Sequence, residues 1–209
     1  MNNKIHSPFM VYQNFLSPKL CGEIVDKVNF IYPDVSEDDK PIKSEKMNEH
    51  MEAVIFEKLS PKLKDIEEYF SFNYRGTEPM HFEWFPEGCA GEEPHCENSS
   101  YVSKKWARTK DRDLTAILFL SDYRDKLPFD GDFEVYGGKL EFYNFKFGFN
   151  PQLGTMIIFP SGPHFINNTS IIEAGELFQV RFHLAGLLPF TYVPENFPGN
   201  YTQWFEKFA

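Results

Sequence analysis

Two residues of the chain, His95 and Glu97, stand two positions apart and could bind a metal ion together. In an extended segment, residues i and i+2 project to the same side, so the imidazole and the carboxylate would converge on one point while Cys96 faces away. A third ligand has to come from a distant strand, and His164 is the candidate. Two histidines and one carboxylate on one face of an octahedral ion leave three positions open, which is typical of oxygen-activating iron(II) enzymes.

The remaining histidines are weaker candidates for a metal site. The His-x-Glu spacing occurs again at His81 and Glu83, and we interpret this second pair as the ordinary alternation of a strand. His183 lies in the last predicted strand, as a core residue or as one that orients the ligands. His6 and His50 belong to the N-terminal part of the chain, where surface positions are expected.

The predicted elements that position these residues are mainly helices in the first part of the chain and strands in the second. A short strand is predicted over residues 8–15, and a helix follows from Pro18, for which Ser17 is a suitable cap. Residues 44–70 are helical by pattern with an interruption at Pro61. After residue 76, short alternating segments replace the helical period; they are 79–85, 112–121, 138–146, 154–159, 163–168 and 177–185.

This layout predicts a mainly β (α+β) fold, a double-stranded β-helix (jelly roll) core of about eight strands flanked by N-terminal helices. We expect one domain over residues 1–209. Its helical support covers about 1–75, the core about 76–186 and an aromatic tail 187–209, which is expected to pack over the core. Phenylalanine dominates the aromatic residues, with 23 copies, and suits a packed β-sandwich.

Composition restricts the possible partners. The chain has 21 basic and 31 acidic residues and a net charge of -10, which disfavours nucleic acid. No apolar run approaches the roughly 18 residues that a membrane span needs. The first eight residues lack the long apolar stretch of a signal peptide. The three cysteines are predicted to be free thiols, so we expect a cytoplasmic protein.

Several short motifs occur in a particular order and spacing. They are Phe-Pro-Glu-Gly at 85–88, His-Cys-Glu-Asn at 95–98, Arg-Asp-Leu-Thr at 112–115, Gly-Gly-Lys-Leu-Glu-Phe at 137–142, Pro-Gln-Leu-Gly at 151–154 and Phe-Pro-Ser-Gly-Pro-His at 159–164. Together these motifs resemble the prolyl 4-hydroxylase branch of the 2-oxoglutarate/iron(II) oxygenases. The resemblance covers residues 85–184, roughly half of the chain.

The resemblance implies iron(II) as the metal, 2-oxoglutarate as the co-substrate and ascorbate as an accessory reductant. The metal ligands would be His95, Glu97 and His164, with Glu97 where the family usually has Asp. In the family a basic residue for the distal carboxylate of 2-oxoglutarate usually follows the distal histidine by about nine or ten residues, but residues 165–174 contain no Lys or Arg, and Leu177 is the residue nearest the usual basic site. Arg181 shares strand parity with Leu177 and is the predicted replacement, since a guanidinium binds a carboxylate through two hydrogen bonds.

The resemblance also implies hydroxylation, with release of succinate and CO2. A prolyl residue of a protein or peptide is the favoured substrate, and a free amino acid or another small molecule is the next. Residues 99–111 and the acidic loop 122–136 are expected to border the mouth of the site. Two other functions stay open from the sequence: a jelly-roll binding module that has lost catalysis, and a cupin-like metalloenzyme that does not use 2-oxoglutarate. The sequence does not indicate the oligomeric state.

Overall fold

The computed structural model describes residues 7–31, 43–127, 131 and 133–197. The three α-helices in this part of the chain are α1 (Pro18–Ile31), α2 (Glu49–Leu59) and α3 (Leu63–Phe70). The strands are β1 (Met10–Tyr12), β2 (Lys43–Lys46), β3 (Tyr74–Thr77), β4 (His81–Phe85), β5 (Ser99–Val102), β6 (Lys105–Arg108), β7 (Leu114–Phe119), β8 (Asp122–Tyr123), β9 (Glu134–Gly137), β10 (Leu140–Phe142), β11 (Phe147–Phe149), β12 (Met156–Pro160), β13 (Asn167–Thr169), β14 (Ile172–Gly175) and β15 (Leu177–Gly186).

The helices begin and end where local chemistry favours it. Helix α1 starts at Pro18, and the Ser17 hydroxyl accepts a hydrogen bond from the Leu20 amide at 3.3 Å. Asn48 caps α2 in the same way, with its side-chain oxygen 3.0 Å from the Met51 amide. The predicted interruption at Pro61 is confirmed, since a 3-10 turn separates α2 from α3 there. Residues 43–46, predicted to be a loop end and the start of a helix, instead form strand β2, which pairs with β4.

The strands form a β-rich, jelly-roll-like fold. The main sheet has the order β1-β12-β7-β15-β4-β2, and β3 pairs with the C-terminal end of β15. All pairs in this sheet are antiparallel. Two smaller sheets, β11-β10-β13 and β14-β9-β8, add to it. The described residues contain more strands than the eight predicted because many of them are only two to four residues long, below the length at which alternation is readable.

Alternation along β15 divides the interior into two cores. Phe178, Val180, Phe182 and Leu184 pack into the core that α1, α2 and α3 also line. Leu177 points to the opposite face, into a phenylalanine-rich core between the main sheet and the β10 sheet. Residues 179, 181 and 183 have the same parity as Leu177, so β15 presents them to the same interior, at its polar end.

The phenylalanine content predicted a packed β core, and this core confirms it. Phe9 and Phe159 both contact Phe142, with ring centroids 4.7 and 4.8 Å apart respectively, in edge-to-face geometry. The described part of the aromatic tail packs as expected: the Tyr192 ring lies 4.8 Å from that of Phe165. Of the other aromatic residues predicted to pack there, Tyr201, Trp204 and Phe205 lie outside the described residues.

Three further features bear on the sequence predictions. Residues 99–108 form an antiparallel hairpin of β5 and β6, in which the exposed Tyr101 and Trp106 rings lie 5.3 Å apart. Among the described residues, no helix combines the length and apolar character that crossing a membrane requires. Cys21 and Cys96 are free thiols, as predicted.

Candidate active site

A polar cavity of about 230 Å³ opens at one end of the space enclosed by the sheets. Strands β4 and β15 supply one wall, and the segment that precedes the β5–β6 hairpin supplies another. The side chains that matter for chemistry are carboxylates, imidazoles and guanidinium groups; they belong to His81, Glu83, His95, Glu97, Arg112, Arg181 and His183.

The segment carrying His95 and Glu97 is held by backbone hydrogen bonds to neighbouring chain. The His95 and Asn167 backbones exchange two hydrogen bonds, at 3.1 and 2.8 Å, which makes the two residues antiparallel partners. The Glu97 amide donates to the Ser161 carbonyl at 3.1 Å. The predicted convergence of the two side chains is present, with His95 Nε2 3.3 Å from Glu97 Oε1.

His95 has the hydrogen-bonding pattern of a metal-binding imidazole. Its Nδ1 lies 2.9 Å from the Glu93 carbonyl, which can only accept, so Nδ1 carries the proton and Nε2 is directed at Glu97. The hydrogen bond with Glu97 raises the pKa of His95 above its ordinary value, against the opposing effect of burial. The imidazole is therefore fixed in one orientation with one nitrogen facing the cavity.

Glu97 is a buried carboxylate that stays ionised. Burial alone would raise its pKa, but the charge of Arg181 and the hydrogen bond with His95 hold the pKa well below the usual range. The Arg181 guanidinium donates to Glu97 Oε1 through Nη1 in a short contact. Arg112 Nη1 lies 3.7 Å from the other oxygen of Glu97. A buried carboxylate with this many cationic neighbours is a fixed negative charge in the cavity.

Arg181 faces the cavity, as its strand parity with Leu177 predicted. Its Nε donates to both carboxylate oxygens of Glu83, at 3.0 and 3.2 Å, and the Gln179 amide donates to the same carboxylate at 2.6 Å. Arg181 is thus bound to two carboxylates of the protein itself. A ligand carboxylate that used the same nitrogens would compete with Glu83 and Glu97.

His183 lies beside Glu97 on the inner face of β15. Its Nε2 is 3.8 Å from Glu97 Oε2, and its Nδ1 is 3.3 Å from the Thr115 hydroxyl, which contacts the Ser161 hydroxyl at 2.7 Å. Burial lowers the pKa of His183 to about 3, so the imidazole is neutral throughout the physiological range. His183 can hydrogen-bond within the site without adding charge to it.

The structure does not bring His164 to the other two predicted ligands. His164 lies in a short 3-10 turn, Pro163–Phe165, with an exposed side chain whose ring is 5.3 Å from that of Tyr192. The turn ends before β13 begins, so the residue opposite His95 is Asn167. In the part of the chain that the structure describes, no three His, Cys, Asp or Glu side chains are grouped as a metal-binding set.

Sequence reasoning missed two residues of the cavity wall, Glu83 and Arg112. Glu83 belongs to the second His-x-Glu pair, which we interpreted as ordinary strand alternation, yet that alternation is what places it opposite Gln179 and in contact with Arg181. Arg112 also lines the cavity, and so does His183, which we predicted to be a core residue or one that orients the ligands. The parity shared by positions 179, 181 and 183 was a usable signal for His183, whereas pairing Glu83 with Arg181 requires the register of β4 against β15.

The chain is similar to known proteins in its structure, whereas the comparisons of its sequence gave no match. No family model matches the chain, and a search of curated proteins also found no match. Among solved structures, the viral collagen prolyl hydroxylase vCPH of Paramecium Bursaria Chlorella virus-1, in its 2OG complex, superposes with a TM-score of 0.62 at 17% identity, over 87% of this chain and 97% of that one. The chain has the prolyl hydroxylase-like fold.

Two further solved structures support the same fold. A Trichoplax adhaerens prolyl hydroxylase, in complex with a peptide fragment of the hypoxia inducible factor oxygen degradation domain, gives a TM-score of 0.60 at 12% identity, over 91% of this chain and 86% of that one. A Pseudomonas putida prolyl-4-hydroxylase gives 0.60 at 14% identity, over 86% of this chain and 92% of that one. The family resemblance noted in the sequence is therefore confirmed at the level of the fold.

Proposed function

We propose that this protein is an iron(II)- and 2-oxoglutarate-dependent hydroxylase in which His95 and Glu97 bind the metal. The observation that carries the proposal is the 3.3 Å approach of His95 Nε2 to Glu97 Oε1 in the open cavity of a prolyl hydroxylase-like fold. An imidazole nitrogen and an ionised carboxylate are suitable donors for this metal. His164 is left out of the proposed set because its side chain lies away from the cavity.

The metal together with 2-oxoglutarate would supply the oxidising power for hydroxylating a C–H bond, with release of succinate and CO2. The residues of the chain prepare the place for it. The Glu93 carbonyl fixes the imidazole of His95, while Arg181 and Arg112 keep Glu97 ionised. The apolar phenylalanine core behind the cavity limits the access of water from that side.

Arg181 is the proposed partner for the distal carboxylate of the co-substrate. It is a cavity-facing guanidinium on β15, and its position supports this role. Its single Nε–H is shared by the two carboxylate oxygens of Glu83, however, so 2-oxoglutarate would bind by displacing the Glu83 carboxylate from Arg181. Gln179 would then remain as a hydrogen-bonding partner for Glu83.

The proposed substrate is a protein or peptide segment, with a prolyl residue favoured over a free amino acid. The β5–β6 hairpin emerges directly between Glu97 and Lys110, which both line the cavity, and it exposes Tyr101, Val102 and Trp106. Exposed aromatic and apolar groups beside a site suit an extended peptide better than a small polar metabolite. The peptide carried by the Trichoplax protein of similar fold supports the same choice.

A second candidate function is a binding module without catalysis. It is favoured by the contact between Arg181 and Glu97, because a fixed cation already neutralises the carboxylate that would hold the metal. It is also favoured by the lack of a third His, Cys, Asp or Glu ligand among the described residues.

The two functions are separated by anaerobic titration with iron(II), followed by measurement of succinate from 2-oxoglutarate in the presence of ascorbate. A hydroxylase binds the metal, loses it on His95→Ala, and forms succinate that a prolyl peptide stimulates. A binding module gives neither result. Metal binding without turnover of 2-oxoglutarate would instead indicate a metalloenzyme that uses no 2-oxo acid, and would overturn the co-substrate part of the proposal.

A further inference from the structure

We propose that Asn167 supplies a third donor, its side-chain amide oxygen, to a divalent metal ion held by His95 and Glu97. The inference rests on the proposed function in one respect, which is that His95 and Glu97 are metal ligands. It replaces the exposed His164 by a residue that the fold places next to them.

The register of the backbone puts Asn167 on the correct face. His95 and Asn167 donate their amide protons to each other's carbonyls, at 3.1 and 2.8 Å, so they are a directly opposed, hydrogen-bonded antiparallel pair. Side chains of residues opposed in this way project to the same face of the sheet. The His95 side chain meets Glu97 on that face. Asn167 therefore projects toward the same region of the interior.

The side-chain amide of Asn167 is held in one orientation, with a hydrogen-bond partner for its nitrogen but not, among the described residues, for its oxygen. Its side chain is completely buried, and Nδ2 donates to the Phe165 carbonyl at 3.0 Å. A carbonyl can only accept, so the side-chain atom that contacts Phe165 has to be the amide nitrogen. The amide oxygen therefore points away from the Phe165 carbonyl. Oδ1 accepts no hydrogen bond from any described residue.

A buried amide oxygen without a partner is unfavourable, because it has lost the hydrogen bonds that water would donate to it. That cost is removed if the oxygen has a ligand. The neighbouring donors are an imidazole and an ionised carboxylate, and a divalent ion bound there would displace the Arg181 guanidinium from Glu97. Amide oxygens bind hard divalent ions, and a set of one nitrogen and two oxygens suits manganese(II) or iron(II).

The next residue along β13 provides a matched control. Asn168 has the same side chain, and its Oδ1 is likewise buried with no partner in the described part of the chain. Asn168 also belongs to the lining of the cavity, but its strand parity is opposite to that of Asn167, so its side chain does not project to the face that His95 and Asn167 share. A general effect of removing a buried asparagine would appear at both positions, whereas metal binding would be affected only at Asn167.

The test is isothermal titration of the full chain with manganese(II), together with the electron paramagnetic resonance spectrum of the bound ion. We expect Asn167→Ala to weaken manganese binding about tenfold or more, which is at least 1.4 kcal/mol. Asn167→Asp, which keeps the shape and adds charge, should bind at least as tightly as the wild type and change the spectrum. Asn168→Ala and His164→Ala should stay within about threefold of the wild-type affinity.

The outcomes separate the two proposals. If the wild type binds no manganese, or binds it equally well with His95→Ala, the proposed metal site at His95 and Glu97 fails. If the wild type binds through His95 but Asn167→Ala binds equally well, only the inference about Asn167 fails. If Asn167→Ala does not fold, as judged by circular dichroism, Asn167→Asp decides: weaker binding or an unchanged spectrum overturns the inference.

Discussion

The Nε nitrogen of Arg181 lies 3.0 and 3.2 Å from the two carboxylate oxygens of Glu83, across the boundary between β15 and β4. Both side chains are nearly inaccessible, with 12% and 11% exposure. Glu97 contacts the same guanidinium. Because one cation serves two buried carboxylates, the stability of the cavity and the choice of its ligand depend on the same residue.

The first prediction concerns the stability that Arg181 provides. Arg181→Met leaves Glu83 and Glu97 buried without their cation, and removal of one member of a buried ion pair costs about 3–5 kcal/mol. We expect a loss of this size in the free energy of unfolding, measured by urea denaturation. Adding Glu83→Gln to Arg181→Met should recover part of the loss, since one of the two stranded charges is removed.

The control for this prediction is a surface pair. Lys64 and Glu68 lie 3.9 Å apart with 83% and 69% exposure, so Lys64→Met should change stability by less than about 1 kcal/mol. A loss from Arg181→Met no larger than that of Lys64→Met would show that the buried cation is not required.

The second prediction concerns the ligand of the cavity. Glu83→Gln removes the charge that competes for Arg181, so a dicarboxylate such as N-oxalylglycine should bind more tightly, by about tenfold for one charge-assisted hydrogen bond. Pyruvate, which has a keto-acid end and lacks the distal carboxylate, is the matched ligand and should bind the two proteins alike. Isothermal titration in the presence of manganese(II) measures both. Equal gains for the two ligands would place the effect elsewhere than at Arg181.

The sequence predicted the face of β15 correctly but not the partners on it. Period-two alternation is local, so it directed Arg181 toward the interior. Glu83 is 98 residues away, and its contact with Arg181 depends on the register of β4 against β15, which no local pattern specifies. The same limit explains His164, because the turn at Pro163–Phe165 delays the start of β13 and brings Asn167 opposite His95. Capping and proline signals, which are local, gave the helix boundaries reliably at Pro18 and Pro61.

The third prediction tests how tightly the first helix is joined to the sheet. Gly154 has φ +72°, and an added Cβ would lie 2.2 Å from the Leu16 carbonyl oxygen, a backbone atom that cannot move aside cheaply. The left-handed conformation alone costs a non-glycine residue about 1–2 kcal/mol. We therefore expect Gly154→Ala to destabilise the protein by more than about 2 kcal/mol in urea denaturation. Gly76→Ala is the control, because nothing lies within 4 Å of the added Cβ and its φ is ordinary; a similar loss there would remove the steric explanation.

The fourth prediction compares two buried tyrosine hydroxyls. The Tyr69 hydroxyl donates to the Ser7 carbonyl at 2.7 Å, whereas the Tyr12 hydroxyl is buried and has no hydrogen-bond partner among the described residues. Tyr69→Phe should cost about 1 kcal/mol through the lost hydrogen bond, and Tyr12→Phe should be neutral or stabilising because it removes an unsatisfied polar group. Urea denaturation at pH 8 measures both free energies of unfolding. The reverse order of the two effects would contradict this assignment of hydrogen bonds.

The fifth prediction is the pH dependence that the same tyrosines impose. Burial raises the pKa of Tyr69 to about 12 from an ordinary value of 10.0, and burial together with Asp65 raises the pKa of Tyr12 as well. A folded-state pKa above the unfolded one means that folding holds the proton more tightly, so this stability is fully present below pH 10 and is lost as the pH rises from 10 toward 12. Urea midpoints measured from pH 8 to pH 11.5 should fall more steeply in the wild type than in Tyr69→Phe, and least steeply in the double variant with Tyr12→Phe. Parallel curves for all three proteins would mean that other groups govern alkaline unfolding.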